Sequence, residues 1–260
     1  MEPRSLGESG LLLSPIGFGA FKIGRNEGVK YPSGYDLPDD AAVDKLLNAV
    51  LDAGINYIDT APAYGISEER IGRSIAHRRS EYVLSTKVGE TFEKGRSCYD
   101  FSAIAVRDSV ERSLRRLRTD VLDIVFVHAP RDDLAILDDT DVADTLVALR
   151  ERGLIRAIGF SGKTVGAAER TLGWADALMI EYHLEDRSHE ELIRRAASNG
   201  VGVLVKKGLA SGRLPAERAV RFVLGNPGVT SMVVGSLTMK HMLANIRSAE
   251  DVTTRNAPPC

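Results

Sequence analysis

The chain has 260 residues and a mass of 28.2 kDa; 43% of them are hydrophobic and 27% charged, a balance that permits a full buried core and excludes wholesale disorder. A net charge of −2 and a pI of about 6.2, with bases scattered among acids, leave no electrostatic footprint for DNA, RNA or an anionic membrane, so the expected partner is a small molecule. MEPRSLGESG lacks the apolar run of a signal peptide, no window nears the roughly 20 apolar residues of a membrane span, and Cys98 and Cys260 are too few for a disulfide framework or a zinc site, so a cytoplasmic location and no metal are expected.

In chain order, IGFG (16–19) predicts the first strand. GRNEGVKYPSGYDLPDD (24–40) follows as a long polar loop able to fold over a site as a lid. DDAAVDKLLNAVLDAG then places Val43, Leu46, Leu47, Val50 and Leu51 on one stripe, the pattern of a helix packed on one face. NYID (56–59) and YVLSTK (82–87) predict the second and third strands, with SEERIGRSIA helical between them. A helix over SAIAVRDSVERSLRRL leads to the fourth strand, DIVFVH (123–128), and VADTLVALRERG to the fifth, RAIGFS (156–161). The sixth strand is ALMI (177–180), followed by the helix EELIRRAASNG and the seventh strand, GVLV (202–205). AERAVRFVLGNPG predicts a helix, SMVVG (231–235) the eighth strand, and SLTMKHMLANI the start of the last helix; from about residue 250 a frayed tail is expected.

The strands are apolar on both faces, as parallel strands covered by helices must be. Eight strand–helix repeats without a linker predict one domain over residues 1–260, a (β/α)₈ TIM barrel of the α/β class, with a doubly wound open sheet as the alternative. In a barrel the active site lies where strands end. Asp59, Lys87, His128 and Ser161 each end a different predicted strand, and Tyr64 follows Asp59 in YIDTAPAYG. Taken singly, each has an ordinary reading as a turn cap, a half-buried aromatic, a solvated loop end or a satisfied core residue. Together on one rim, four ionisable groups point to proton chemistry.

The chain resembles the aldo-keto reductase family over nearly its whole length, from LGESGLLLSPIGFGAFKIG through GINYIDTAPAYG, VLSTKVG, DIVFVHAP and IRAIGFS to NPGVTSMVVGSLTMKHMLANI. The family's Asp/Tyr/Lys/His tetrad is matched by Asp59 and Tyr64 of DTAPAY, Lys87 of STK and His128 of FVH. The resemblance implies an oxidoreductase that reduces an aldehyde or ketone, sugar-like ones included, with NADP or NAD. A tyrosine of pKa ~10 is a poor acid at neutral pH, so a nearby cation that stabilises its phenolate makes it a better one. Tyr64 is therefore expected as general acid, Lys87 as that cation, Asp59 as its anchor and His128 as a hydrogen-bond partner of the carbonyl oxygen.

No GxGxxG follows the first strand, and GFGAFKIGR has the wrong spacing for one, so a Rossmann site is not indicated. Loops after the seventh and eighth strands, GLASG (208–212) and GSLT (235–238), are placed to bind phosphate, with ordinary turns as the alternative. The resemblance assigns Ser161 to the nicotinamide carboxamide, Leu209 and Ser211 to the pyrophosphate, Gly235 and Ser236 to the adenosine phosphate, and Asn245 to adenine. Lys206 and Lys207 are either phosphate contacts or solvated lysines, Ala20 and His241 complete the candidate cofactor set, and Phe21 is either a wall of the substrate pocket or a plug in the barrel mouth.

Some positions depart from the family pattern. Gly162 and Met179 replace two polar carboxamide contacts, and Lys206 replaces an aromatic that often stacks on the nicotinamide. Gly235, Leu237 and His241 stand where a 2′-phosphate would want a cation, with only Lys240 nearby, which keeps NAD open beside NADP. Two other readings stay in play, a lyase or isomerase using the same tetrad and a nicotinamide-binding regulator; monomer and homo-oligomer are both open.

Overall fold

The structure is a computed structural model that describes residues 1–29 and 34–255. It opens with an antiparallel hairpin, β1 (Arg4–Ser5) and β2 (Leu12–Leu13), which precedes the first barrel strand, β3 (Ile16–Gly19). Helix α1 (Asp40–Asp52) begins where the Asp39 carboxylate accepts the Ala42 N–H at 2.7 Å, and it buries the five apolar residues of the expected stripe. β4 (Tyr57–Asp59), α2 (Ser67–Ile75) and β5 (Val83–Val88) follow. A second hairpin, β6 (Glu90–Glu93) and β7 (Arg96–Tyr99), interrupts the alternation before α3 (Ala103–Leu117). The rest runs β8 (Leu122–His128), α4 (Asp133–Asp139), α5 (Val142–Glu151), β9 (Ile155–Ser161), α6 (Val165–Thr171), β10 (Ala177–Glu181), α7 (Glu190–Ser198), β11 (Gly202–Lys206), α8 (Ala216–Leu224), β12 (Ser231–Val234) and α9 (Met239–Arg255).

Eight parallel strands, β3, β4, β5, β8, β9, β10, β11 and β12, close into a barrel, the seam being β12 on β3 with Met232 opposite Ile16. Closure rules out the open doubly wound sheet. The fold is the (β/α)₈ TIM barrel, and all eight barrel strands lie where the apolar runs predict them. Two apolar cores result. One fills the space between strands and helices; the other lies inside the barrel, where Tyr57, Ile124, Phe126, Ala157, Ala177, Met179 and Leu204 meet Leu6, Leu11 and Leu13 from the amino-terminal hairpin. That hairpin plugs one end of the barrel, which leaves the opposite rim for chemistry.

Both hairpins and the short helices α4 and α6 fall outside the sequence reading. Residues 250–255, expected as tail, continue α9, while 256–260 lie outside the described residues. Of the expected lid, 30–33 lie outside the described residues, and Arg25, Gly28 and Val29 line the cleft at the rim. Among the described residues no helix is long and apolar enough to cross a membrane.

Candidate active site

β4 ends at Asp59, and the chain enters a 3-10 turn, Pro62–Tyr64, whose proline presets the backbone. The turn is pinned against the loop after β3. Ile66 N–H donates to the Gly24 carbonyl at 3.2 Å, and a Cβ on Gly65, at φ +62°, would lie 2.3 Å from that same oxygen. Glycine alone permits this approach, and it aims Tyr64 at the rim. There the half-buried Tyr64 ring meets Phe21 edge-on, with centroids 5.0 Å apart, and His128 edge-on at 6.2 Å.

Strand register places Asp59 beside Ser85, with Lys87 further along the same face of β5. Lys87 is buried, and its Nζ donates to Asp59 Oδ1 at 2.6 Å and to the Thr60 carbonyl at 2.7 Å. Burial pulls the Lys87 pKa below the usual lysine value, with the Asp59 carboxylate opposing it. Asp59 Oδ1 also accepts from Ser85 Oγ at 2.8 Å, and that hydroxyl lies 2.9 Å from the Tyr57 phenol. The lysine Nζ stands 4.8 Å from the centre of the Tyr64 ring, close enough to favour a developing phenolate.

His128 ends β8 directly opposite Ser161 of β9. Its buried Nδ1 lies 2.7 Å from Glu90 Oε2, a close approach that does not make a hydrogen bond. Burial lowers the His128 pKa to about 4 against the pull of Glu90, with Lys87 and Lys206 adding to the fall. Burial pushes the Glu90 carboxyl up, but His128, Ser97 and Arg25 outweigh it and bring the value to about 2. Sequence reasoning missed Glu90, because it sits on the β6–β7 hairpin rather than at the end of a barrel strand. Lys94 and Gly95 both take positive φ in the two-residue turn between ETFE and RSCY, but Lys-Gly is not among the pairs that announce such a turn in a sequence.

These groups line a cleft of about 390 Å³. Its lining brings together Asp59, Tyr64, Lys87, His128 and Phe21 with Ser161, Lys206, Lys207, Ser211 and Gly235. The remaining candidates lie off its lining. Ala20 is buried and its carbonyl accepts from Ser67 Oγ; Leu209 packs on the outer core; Ser236 binds Thr238 at the start of α9. His241 is exposed and Asn245 buried, both on α9.

Lys206 Nζ donates to Ser161 Oγ at 3.0 Å and to the Gly162 carbonyl at 2.8 Å. Burial, then Lys163, Lys207 and Lys87, set its pKa well below the ordinary lysine value. A Cβ at Gly162 would lie 2.3 Å from the Phe160 ring and 2.9 Å from Asp133 Oδ2, so the glycine there is a packing requirement. Lys207 pairs with Glu181, and Lys207, Ala210 and Ser211 take φ of +55°, +46° and +59°. Left-handed residues crowded into one loop are the backbone geometry of anion-binding concavities, here flanked by lysines. Ser161, Lys206, Lys207 and Ser211, which share the cleft, are the residues that could hold a dinucleotide, the two lysines by exchanging their present partners. Glu181, His183 and Asp186 form a nearby cluster, with Glu181 committed to Lys207 and Asp186 to Ser188.

A model of the Aldo/keto reductase family matches residues 15–218. The L-galactose dehydrogenase of Arabidopsis thaliana is 33% identical over 229 residues, 82% of this chain and 67% of that protein. The NADH-specific methylglyoxal reductase of Escherichia coli (strain K12) is 31% identical over 230 residues, 82% of this chain and 69% of that one. A solved structure from Pseudomonas aeruginosa, described as an aldo-keto reductase, is 45% identical with a TM-score of 0.89, covering 96% of this chain and 95% of that chain.

Proposed function

The chain belongs to the aldo/keto reductase family and is an NAD(P)-dependent oxidoreductase, and from that premise we propose that it interconverts a small, sugar-like aldehyde or ketone and its alcohol with Tyr64 as the proton donor. The observation that carries this reading is the meeting of Tyr64, Lys87, Asp59 and His128 around one cleft. In reduction the carbonyl carbon gains a hydride, and the oxygen takes the Tyr64 phenolic proton as its π bond opens. A dinucleotide held by the residues below would supply that hydride. Lys87 stabilises the phenolate left behind, and Asp59 keeps the ammonium in place. In oxidation the same phenolate takes the proton back.

We assign Ser161 and Lys206 to the nicotinamide end of the cofactor, Lys207, Leu209 and Ser211 to its pyrophosphate, and Gly235, Ser236, His241 and Asn245 to the adenosine end, with Ala20 behind the nicotinamide seat. The left-handed Lys207–Ser211 loop supports the phosphate assignment. NAD is the preferred form in this reading, because Gly235, Leu237 and His241 supply no strong cation for a 2′-phosphate and the exposed Lys240 is the one lysine near them. Substrate polarity is supported by Arg25, Glu90, Ser97 and Tyr99 in the cleft wall and by the kinship with an L-galactose dehydrogenase. A cytoplasmic location belongs to the same reading.

Tyr64→Phe is expected to leave NADH affinity unchanged in a fluorescence titration and to lower turnover by about 10²–10⁴-fold; a variant of undiminished turnover would remove Tyr64 from the mechanism. Titration of NADPH beside NADH tests the cofactor reading, and strong NADPH selectivity would overturn it.

A further inference from the structure

We infer that Ser85 and Tyr57 are positioning residues of this site: the hydrogen-bonded line Tyr57–Ser85–Asp59 fixes the Asp59 carboxylate and draws down its charge, which leaves Lys87 more positive toward Tyr64. The inference rests on the proposed role of Tyr64 and adds the residues that tune it.

Strand alternation builds the line. Tyr57 and Asp59 lie two apart on β4 and share one face of it, Ser85 and Lys87 do the same on β5, and Asp59 stands opposite Ser85 in register. All four are at most 3% exposed. Direction follows from what each group can give. Beside an ammonium the Asp59 carboxylate has only lone pairs to offer, so Ser85 spends its one proton on Oδ1 at 2.8 Å. The Tyr57 phenol, 2.9 Å from the same Oγ, is then the donor to Ser85, and burial, which sets its pKa well above the ordinary tyrosine value, keeps that proton in place. The Tyr57 ring is held in turn by close packing, since a Cβ on Gly17 would lie 2.4 Å from its Cδ1.

Tyr57 is fully buried in the apolar barrel interior, so the line is a dead end for protons and acts through charge. Asp59 Oδ1 accepts from both Ser85 Oγ and Lys87 Nζ, at 2.8 and 2.6 Å, so the two donors draw on the same oxygen. Without the serine hydroxyl, more of the carboxylate's charge falls on Lys87 and offsets what a phenolate on the Tyr64 ring, 4.8 Å from Nζ, gains from it. The other charged or titratable groups facing Tyr64 are His128 on β8 and Arg25 after β3, while Glu90, Glu68 and Lys206 act on Lys87. Among the described residues none of these is hydrogen-bonded to Ser85 or Tyr57, so a change there reaches Tyr64 through Asp59.

Two measurements test this. In protein carrying ¹³C at the tyrosine ζ carbon, with Tyr64→Phe for assignment, the NMR titration midpoint of Tyr64 is expected to rise by about 0.5–1 pH unit in Ser85→Ala, to rise by less in Tyr57→Phe, and to return toward wild type in Ser85→Thr, which keeps the hydroxyl. A serine that only packs would lower the urea midpoint and leave the Tyr64 titration where it is; that result, or a fall in the midpoint, overturns the inference. Should Ser85→Ala fail to fold, Tyr57→Phe, which keeps the ring, decides alone. The alkaline limb of kcat for reduction of methylglyoxal or D-glyceraldehyde by NADH is expected to move up with the titration, and a limb that stays fixed while the titration moves counts against the tuning. Absence of turnover with both aldehydes would defeat the reductase reading, while the titration would still decide the roles of Ser85 and Tyr57.

Discussion

Asp59 carries more than one duty. It neutralises a lysine that is 1% exposed, and it takes the Ser85 hydroxyl on the same oxygen. Removing one partner of a buried pair strands the other charge, so Asp59→Ala is expected to lower unfolding free energy by about 3–5 kcal/mol, whereas Ser85→Ala should cost about 1 kcal/mol; urea denaturation of both variants checks the contrast. His128 sets a pH dependence. Its folded pKa of about 4 lies below the ordinary 6.5, so the unfolded chain takes up the proton first as the solution becomes acid. The stability tied to this ring is complete above pH 6.5 and falls as the pH drops toward about 4; Glu90, at about 2 against 4.5, continues the loss below 4.5. Urea midpoints are expected to fall across that window, and His128→Asn to flatten its upper part. The tetrad could be read from the sequence because each member ends, or closely follows, an apolar run. Glu90 could not, because its partner stands 38 positions away (128 minus 90) and the two meet only through the barrel's curvature and a turned-up hairpin.

At the scale of elements, the barrel strands declare themselves as short β-branched runs, and their predicted ends fall within one residue of those observed. β1 and β2 have two residues each, too few for any periodicity, and β6–β7 is mostly polar, so both read as loop. The β6–β7 hairpin is nonetheless what carries Glu90, Ser97 and Tyr99 into the cleft wall. Its root is tight: Asp100 N–H donates to the Gly89 carbonyl at 2.9 Å, and a Cβ at Gly89, with φ +96°, would lie 1.9 Å from the Phe101 ring. Gly89→Ala is therefore expected to tilt the hairpin and release Glu90 from His128. The measurable sign is a lower melting temperature; a variant with the wild-type melting point would show that the root is not what sets the hairpin.

For the molecule as a whole, the amino-terminal plug substitutes for material that the strands cannot supply. The barrel interior ends on one side at Leu6 and Leu13, both fully buried. Leu6→Ala is expected to lower stability by about 2–5 kcal/mol while leaving the opposite rim, and hence substrate affinity, little changed; a large change in KM would show that the two ends are coupled. The seam between β12 and β3 has a further consequence, for synthesis rather than for chemistry. Ile16 pairs with Met232, so the cylinder cannot shut until the eighth strand has left the ribosome. Until then β3 and β11 present bare backbone edges, the surface on which nascent chains stick to one another. A chain interrupted before residue 231 should therefore accumulate in inclusion bodies rather than as a soluble, slightly shortened barrel.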